Sequence, residues 1–133
     1  MKKLFFLLVI AALALTACNG QATEVPATAD AFIITNPAIP IEATAGEEFQ
    51  IIVDSNPSTG YHWELVGTPD GRVVQFISRD YKPSEPVMPG SGGKDVWTFK
   101  AVAAGTIKIV LGSYPPGQGQ AMDHEASFTV VVK

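Results

Sequence analysis

Two hydroxyl-bearing residues stand side by side in a short polar stretch between two apolar runs of the chain. The stretch reads Asn56-Pro57-Ser58-Thr59-Gly60-Tyr61. Its hydroxyls can exchange hydrogen bonds with a partner, while the proline fixes its own φ and the glycine allows a sharp reversal of the backbone. A stiff polar tip between strands is a common form of binding surface. We name residues 55–60 the hydroxyl loop; a plain hairpin turn is the alternative interpretation.

A second polar segment, residues 82–93, is rich in proline and ends in glycine. We name it the glycine loop, and its last residues are Gly90-Ser91-Gly92-Gly93. Its prolines stiffen the approach, and its glycines let backbone amides come close to another surface. This composition favours a contact surface.

A third polar segment, residues 113–124, is named the proline loop. It carries Tyr114-Pro115-Pro116 near its start. A rigid aromatic residue beside two prolines is typical of a contact anchor in an interface. The alternative interpretation is that Tyr114 caps the core.

Residues suited to catalysis or to metal binding are sparse in this chain. Its two histidines, His62 and His124, have no further His, Cys or acidic pair at ligand or catalytic spacing. His62 falls in a predicted strand beside Trp63, and we interpret it as a strand-face residue. The sequence therefore predicts no enzyme, no metal site and no cofactor.

Short runs rich in Val, Ile, Thr, Phe and Tyr, separated by Gly and Pro, indicate that strands position these loops. Trp63 and Trp97 fall within such runs and are interpreted as core residues. Seven strands in about 100 residues favour an all-β fold, an immunoglobulin-like sandwich of two antiparallel sheets. A small barrel is the alternative. The predicted strands span 31–41, 46–54, 61–66, 72–81, 94–102, 106–112 and 125–132.

The order of the connections predicts that the three loops share one end of the sandwich. Connections between successive antiparallel strands alternate between the two ends. The hydroxyl, glycine and proline loops are the second, fourth and sixth connections, so parity places them together. The first, third and fifth connections are short and span 42–45, 67–71 and 103–105.

The N-terminal residues resemble a bacterial lipoprotein signal. Lys2 and Lys3 precede an apolar run, and Ala17-Cys18 ends it with the small residue and cysteine of a lipobox. The resemblance implies cleavage before Cys18, which is the only cysteine, and lipidation of Cys18. We expect a signal peptide over 1–17, a lipidated cysteine and tether over 18–30, and a domain over 31–133. The expected location is the cell envelope, anchored to a membrane and facing outside the cytoplasm.

The charge balance argues against nucleic acid as a partner. The chain has a net charge of −4, which becomes −6 without Lys2 and Lys3. No basic stripe is present to track a phosphate backbone. Membrane contact is therefore expected through the lipid alone.

The three loops together resemble the chagasin family of cysteine-protease inhibitors. The family's motifs are Asn-Pro-Thr-Thr-Gly-Tyr/Phe, Gly-x-Gly-Gly and Arg-Pro-Trp, in this order. The hydroxyl loop differs from the first motif only by Ser58, and the glycine loop matches the second motif fully. The third motif departs, because Pro115 and Gly117 stand where the family has Arg and Trp, around Pro116.

The resemblance implies reversible, competitive inhibition of papain-like cysteine proteases. Ser58 and Thr59 would lie over the catalytic cysteine of the protease, and the loops around Gly92 and Tyr114 would contact the walls of its cleft. A missing Trp hot spot affects affinity, by about 2 kcal/mol or more. The alternative function is a non-inhibitory binding module of the envelope surface that uses the same loops. A structural sandwich with no specific partner is a third possibility.

Overall fold

The computed structural model describes residues 32–117 and 119–133, which form two facing β-sheets. One sheet has the order β1-β3-β6-β5 and the other β2-β8-β7-β4. The predicted all-β sandwich is confirmed. The expected signal peptide, Cys18 and tether lie outside the described residues. The strands are β1 Phe32–Ile34, β2 Ile41–Ala43, β3 Glu48–Ser55, β4 His62–Leu65, β5 Val74–Pro83, β6 Gly93–Ala101, β7 Gly105–Tyr114 and β8 His124–Val132.

The first predicted strand, 31–41, is wrong as a single element, because it is two short strands in different sheets. Asn36 starts a turn between them: its carbonyl accepts from the Ile39 amide at 3.3 Å, and its side chain accepts from the Ala38 amide at 2.9 Å. Pro37 lies in this turn and Pro40 ends it, and neither has an amide hydrogen for a sheet ladder. The chain therefore changes sheet between Ile34 and Ile41.

This crossing makes both sheets mixed, whereas the sequence predicts purely antiparallel sheets. β1 pairs with β3 in parallel, and β2 pairs with β8 in parallel. All other strand pairs are antiparallel. The described residues thus form eight strands instead of the predicted seven, because the first predicted strand is divided into β1 and β2.

The core lies between the sheets and consists of inward-facing residues at alternating positions along the strands. Phe49 pairs with Phe99 across β3 and β6, and their rings stack with centroids 5.6 Å apart. Burying a side chain of this size stabilises the fold by about 1.5–3 kcal/mol. Trp97 is buried among them, and Trp63 packs against the cluster, as predicted. Other fully buried core residues are Ile41, Ile51, Val74, Ile109, Leu111, Phe128 and Val130.

The strands define two ends of the sandwich, which we name the loop pole and the far pole. The loop pole is the end at Ser55, Pro83 and Tyr114, and the far pole is the opposite end. Both ends of the described domain lie at the far pole. Phe32 pairs with Phe49 near the start of β3, and Val132 pairs with Gly105 at the start of β7.

No helix within the described part of the chain has the length and apolarity needed to cross a membrane.

Candidate functional site

The three predicted loops all lie at the loop pole. In one sheet, Gly93 pairs with both Ser55 and Pro83, so the hydroxyl and glycine loops leave the sheet side by side. In the other sheet, His62 pairs with Tyr114, so the hydroxyl loop ends beside the start of the proline loop. The structure shortens the loops to residues 56–61, 84–92 and 115–123.

The hydroxyl loop connects the two sheets and is therefore not a hairpin. β3 belongs to one sheet and β4 to the other, and residues Pro57–Thr59 form a 3-10 turn between them. Pro57 stands at the start of this turn, where its fixed φ suits a helical conformation and its missing amide hydrogen is not needed. The crossing places the loop in the middle of the pole, with the other two loops on either side.

Asn56 holds the hydroxyl loop to the glycine loop. Its Nδ2 donates to the Gly90 carbonyl at 3.2 Å. The backbones are close here as well, because a Cβ added at Gly92 would lie 3.0 Å from the Ser55 carbonyl oxygen. Glycine at this position lets the two loops pack without a gap.

The hydroxyl groups of Ser58 and Thr59 are engaged inside their own loop. Ser58 Oγ donates to Asn56 Oδ1 at 2.6 Å, and Thr59 Oγ1 donates to the Asn56 carbonyl at 2.7 Å. The Gly60 amide adds a bond to the Pro57 carbonyl at 3.0 Å. Each hydroxyl has used its single proton, so it meets a partner only as an acceptor. Their main role in the free protein is to fix the loop's shape.

Gly60 makes the contact between the hydroxyl and proline loops. Its φ of +82° is a left-handed conformation that residues with a side chain rarely adopt. A Cβ added there would lie 2.8 Å from Pro116 Cβ. The Gly60 backbone and the Pro116 ring therefore pack directly, and all three loops form one connected surface.

The glycine loop presents two exposed apolar side chains that are not among the predicted contact residues. Val87 is 68% exposed and Met88 is 60% exposed. The backbone beneath them is held firmly, because Ser91 Oγ donates to the Met88 carbonyl at 2.7 Å and the Ser91 amide donates to it at 2.9 Å. The available signal was an apolar pair inside a polar segment, between Pro86 and Pro89.

Gly93 closes the base of the glycine loop. A Cβ added there would overlap the carbonyl oxygen of Lys82 on the neighbouring strand and would lie 2.6 Å from the Tyr81 hydroxyl. The ladder can thus run to the end of the strands only with glycine here. Gly93, the last residue of the Gly-Ser-Gly-Gly run, is therefore a structural residue.

Tyr114 lies on the outer face of its sheet rather than in the core. It is half-buried, and its ring stacks on His62 with centroids 5.8 Å apart and an interplanar angle of 25°. His62 Nε2 also lies 3.2 Å from Glu64 Oε1, so its ring is held between two neighbours on the sheet face. Pro115 follows directly, half-buried, while Tyr61 is exposed at the pole.

A polar groove of about 390 Å³ lies beside the hydroxyl loop, between Thr59, Trp63 and His124. Trp63 Nε1 donates to the Asp54 carbonyl at 2.8 Å, which fixes one side of the groove. His124 Nε2 lies 3.3 Å from Asp123 Oδ2, and both residues also line the groove. Within residues 32–117 and 119–133, no three His, Cys, Asp or Glu residues are grouped to hold a metal ion.

An ionisable pair with a clear pKa shift lies at the far pole. The Arg72 side chain donates hydrogen bonds to Asp70, which lowers the pKa of Asp70 and raises that of Arg72. This pair is remote from the three loops, in the connection between β4 and β5.

The chain is similar to known inhibitors both in sequence and in structure. The family model described as "Chagasin family peptidase inhibitor I42" matches residues 42–132. Chagasin of Trypanosoma cruzi is 30% identical over 97 residues, which cover 70% of this chain and 86% of chagasin.

Three solved structures resemble the fold. The cysteine protease inhibitor EhICP2 of Entamoeba histolytica has a TM-score of 0.61 at 21% identity, covering 77% of this chain and 95% of EhICP2. The solution structure of amebosin has a TM-score of 0.58 at 26% identity, covering 77% and 98%. PbICP-C, whose structure was solved in complex with falcipain-2, has a TM-score of 0.50 at 19% identity, covering 78% and 90%.

The family match begins within β2, ends with β8 and includes all three loops of the loop pole. The protein therefore belongs to the chagasin family of peptidase inhibitors.

Proposed function

We propose that this protein is a reversible, competitive inhibitor of papain-like cysteine proteases, which occludes the active-site cleft with its three loops. The observation that carries the proposal is the connected surface at the loop pole. Asn56 bonds the glycine loop, and Gly60 packs on Pro116 of the proline loop. Family membership and a relative solved in complex with falcipain-2 support the class of target.

The central position of the hydroxyl loop suits it to enter a cleft. Its neighbours on both sides would contact the two walls, and three loop tips can supply the roughly 800 Å² per partner that a protease–inhibitor interface buries. The loop is already ordered by its own hydrogen bonds, so little conformational entropy is lost on binding. The domain from Phe32 onwards has no cysteine, so inhibition proceeds without a disulfide to the protease.

The flanking loops contribute different chemistry to the interface. Val87 and Met88 offer apolar surface on one side, where they would pack against an apolar wall of the cleft. On the other side, Pro115-Pro116-Gly117 stand in place of the family's Arg-Pro-Trp motif, and Tyr114 comes directly before them. Tyr114 is engaged with His62, so it replaces the missing aromatic anchor only in part.

The double variant Ser58→Ala/Thr59→Ala should weaken inhibition of papain by about tenfold, measured with the soluble chain 19–133. Removing the two hydroxyls frees the loop, and ordering it again on binding costs about 1.4 kcal/mol in all. The inhibition constant from a competitive assay with a small fluorogenic substrate is the measurement.

Thr106→Ala is the matched control for this variant, because Thr106 is an exposed hydroxyl near the far pole. It should inhibit like the parent chain. If the double variant and the parent inhibit equally, the hydroxyl loop takes no part in the interface. No inhibition by the parent chain of several papain-like proteases would favour the envelope-surface binding module, to which the altered third motif lends support.

We also propose that Cys18 carries the lipid that holds the protein to a membrane of the cell envelope. The lipobox-like Ala17-Cys18 supports this proposal. Metabolic labelling with palmitate in a bacterial host should mark the protein, and Cys18→Ser should abolish the label. An unlabelled, secreted parent chain would contradict lipidation.

A further inference from the structure

β5 ends its sheet with a free edge. It is ten residues long, and no strand among residues 32–117 and 119–133 pairs with its outer side. Phe76, Ile77 and Tyr81 on this strand are 39–44% exposed. A long edge strand with exposed apolar residues is a template for pairing with another chain.

The alternation of hydrogen bonds between β5 and β6 identifies which backbone groups of β5 have no partner in the sheet. The Ser84 amide donates to the Gly92 carbonyl directly opposite, at 3.0 Å. In an antiparallel ladder such bonded positions alternate, so Lys82 and Asp80 also bond towards β6. The amide and carbonyl of Tyr81, the amide and carbonyl of Arg79 and the carbonyl of Pro83 therefore point to the free edge.

We propose that β5 pairs with β5 of a second copy of this chain, antiparallel and centred on Tyr81. Tyr81 would then face Tyr81 of the partner subunit and exchange two backbone hydrogen bonds with it. The Arg79 amide would donate to the carbonyl of the partner's Pro83, and the symmetric bond would form on the other side. The absence of an amide hydrogen on Pro83 thus leaves four bonds in place.

Charge complementarity selects this register. Asp80 and Lys82 are both exposed on the outer face of the sheet. Centred on Tyr81, each Asp80 lies directly opposite the partner's Lys82, in the close, non-hydrogen-bonded type of pair. Centring on Arg79 or on Asp80 would instead oppose two like charges. The bulge between Phe76 and Ser78 ends regular pairing on one side, so the contact is short and the dimer weak.

Sedimentation velocity of the soluble chain 19–133 over a concentration series tests the dimer. Residues 32–133 contain both sheets and the described core, so this chain keeps every contact used here. The parent should pass from the mass of one chain to that of two between micromolar and millimolar concentrations. Lys82→Glu should remain a single chain throughout, because two acidic groups would then face each other.

Two further variants separate this register from a general charge effect. The swapped variant Asp80→Lys/Lys82→Asp should dimerise again. Lys100→Glu is the control, because Lys100 is exposed on the same face but belongs to the interior strand β6; it should dimerise like the parent.

A parent chain that stays single at all concentrations, or a Lys82→Glu variant that dimerises, would overturn the proposal. Failure of the swapped variant to recover would overturn the Tyr81-centred register. These readings are independent of protease inhibition.

Discussion

Val87→Asp/Met88→Asp should weaken inhibition of papain by about a hundredfold or more. The two side chains are largely exposed in the free protein, so the fold should tolerate the change. In the complex, two carboxylates would lose their water against an apolar wall without a partner charge, at about 3 kcal/mol or more in total. The measurement is the inhibition constant of the soluble chain, with thermal unfolding to show that the domain is intact.

Val102→Asp is the matched control for the apolar pair. Val102 is also an exposed valine, but it lies in the connection between β6 and β7, at the far pole. This variant should inhibit like the parent. If the double aspartate variant inhibits as well as Val102→Asp does, the tip of the glycine loop lies outside the interface. The inhibitory surface would then consist of the other two loops.

Arg79→Met should lower the free energy of unfolding by about 3 kcal/mol. Asp95 is 1% exposed, and both of its oxygens accept from Arg79, at 2.8 Å and 3.3 Å. Removing the guanidinium leaves a buried carboxylate without its partner charge, which is strongly destabilising. Methionine keeps an unbranched side chain over the Trp97 ring, where Cζ of the Arg79 guanidinium lies 4.9 Å from the ring centroid in the parent protein. Urea denaturation measures the difference.

Two variants separate the loss of charge pairing from the loss of packing. Adding Asp95→Asn to Arg79→Met should recover most of the stability, because the uncompensated charge is gone. Arg72→Met breaks an ion pair with Asp70 that lies in solvent at the far pole, and it should leave the unfolding curve unchanged. If Arg79→Met unfolds at the same urea concentration as Arg72→Met, the buried pair contributes no stability.

Much of the fold was predictable because strand alternation reports directly on burial. In β8, Phe128, Val130 and Val132 face the core, as their spacing of two residues predicts. The split of the first strand was not predictable from the apolar pattern alone, since Pro37 and Pro40 stand inside a run that is otherwise typical of one extended strand. Proline marks where a ladder is interrupted, but the sheet that the chain joins next depends on which edge is free.

The candidate site was predictable in its position and less so in its detail. Parity of the connections placed three loops at one pole, and this prediction survived the split of the first strand because the split precedes all three loops. The inward-turned hydroxyls of Ser58 and Thr59 were not predictable, because their bonds to Asn56 depend on a 3-10 turn that composition does not distinguish from other turns. Val87 and Met88 were missed because exposure is a property of the folded loop.

Both ends of the described domain leave from the far pole, where Phe32 and Lys133 lie. A reporter protein, a bead or a fluorophore joined directly before Phe32 or after Lys133 would therefore sit roughly the length of the sandwich away from the three loops. The domain can be displayed or immobilised by either end with its recognition surface unobstructed, and a tandem array could be built without redesigning the loops.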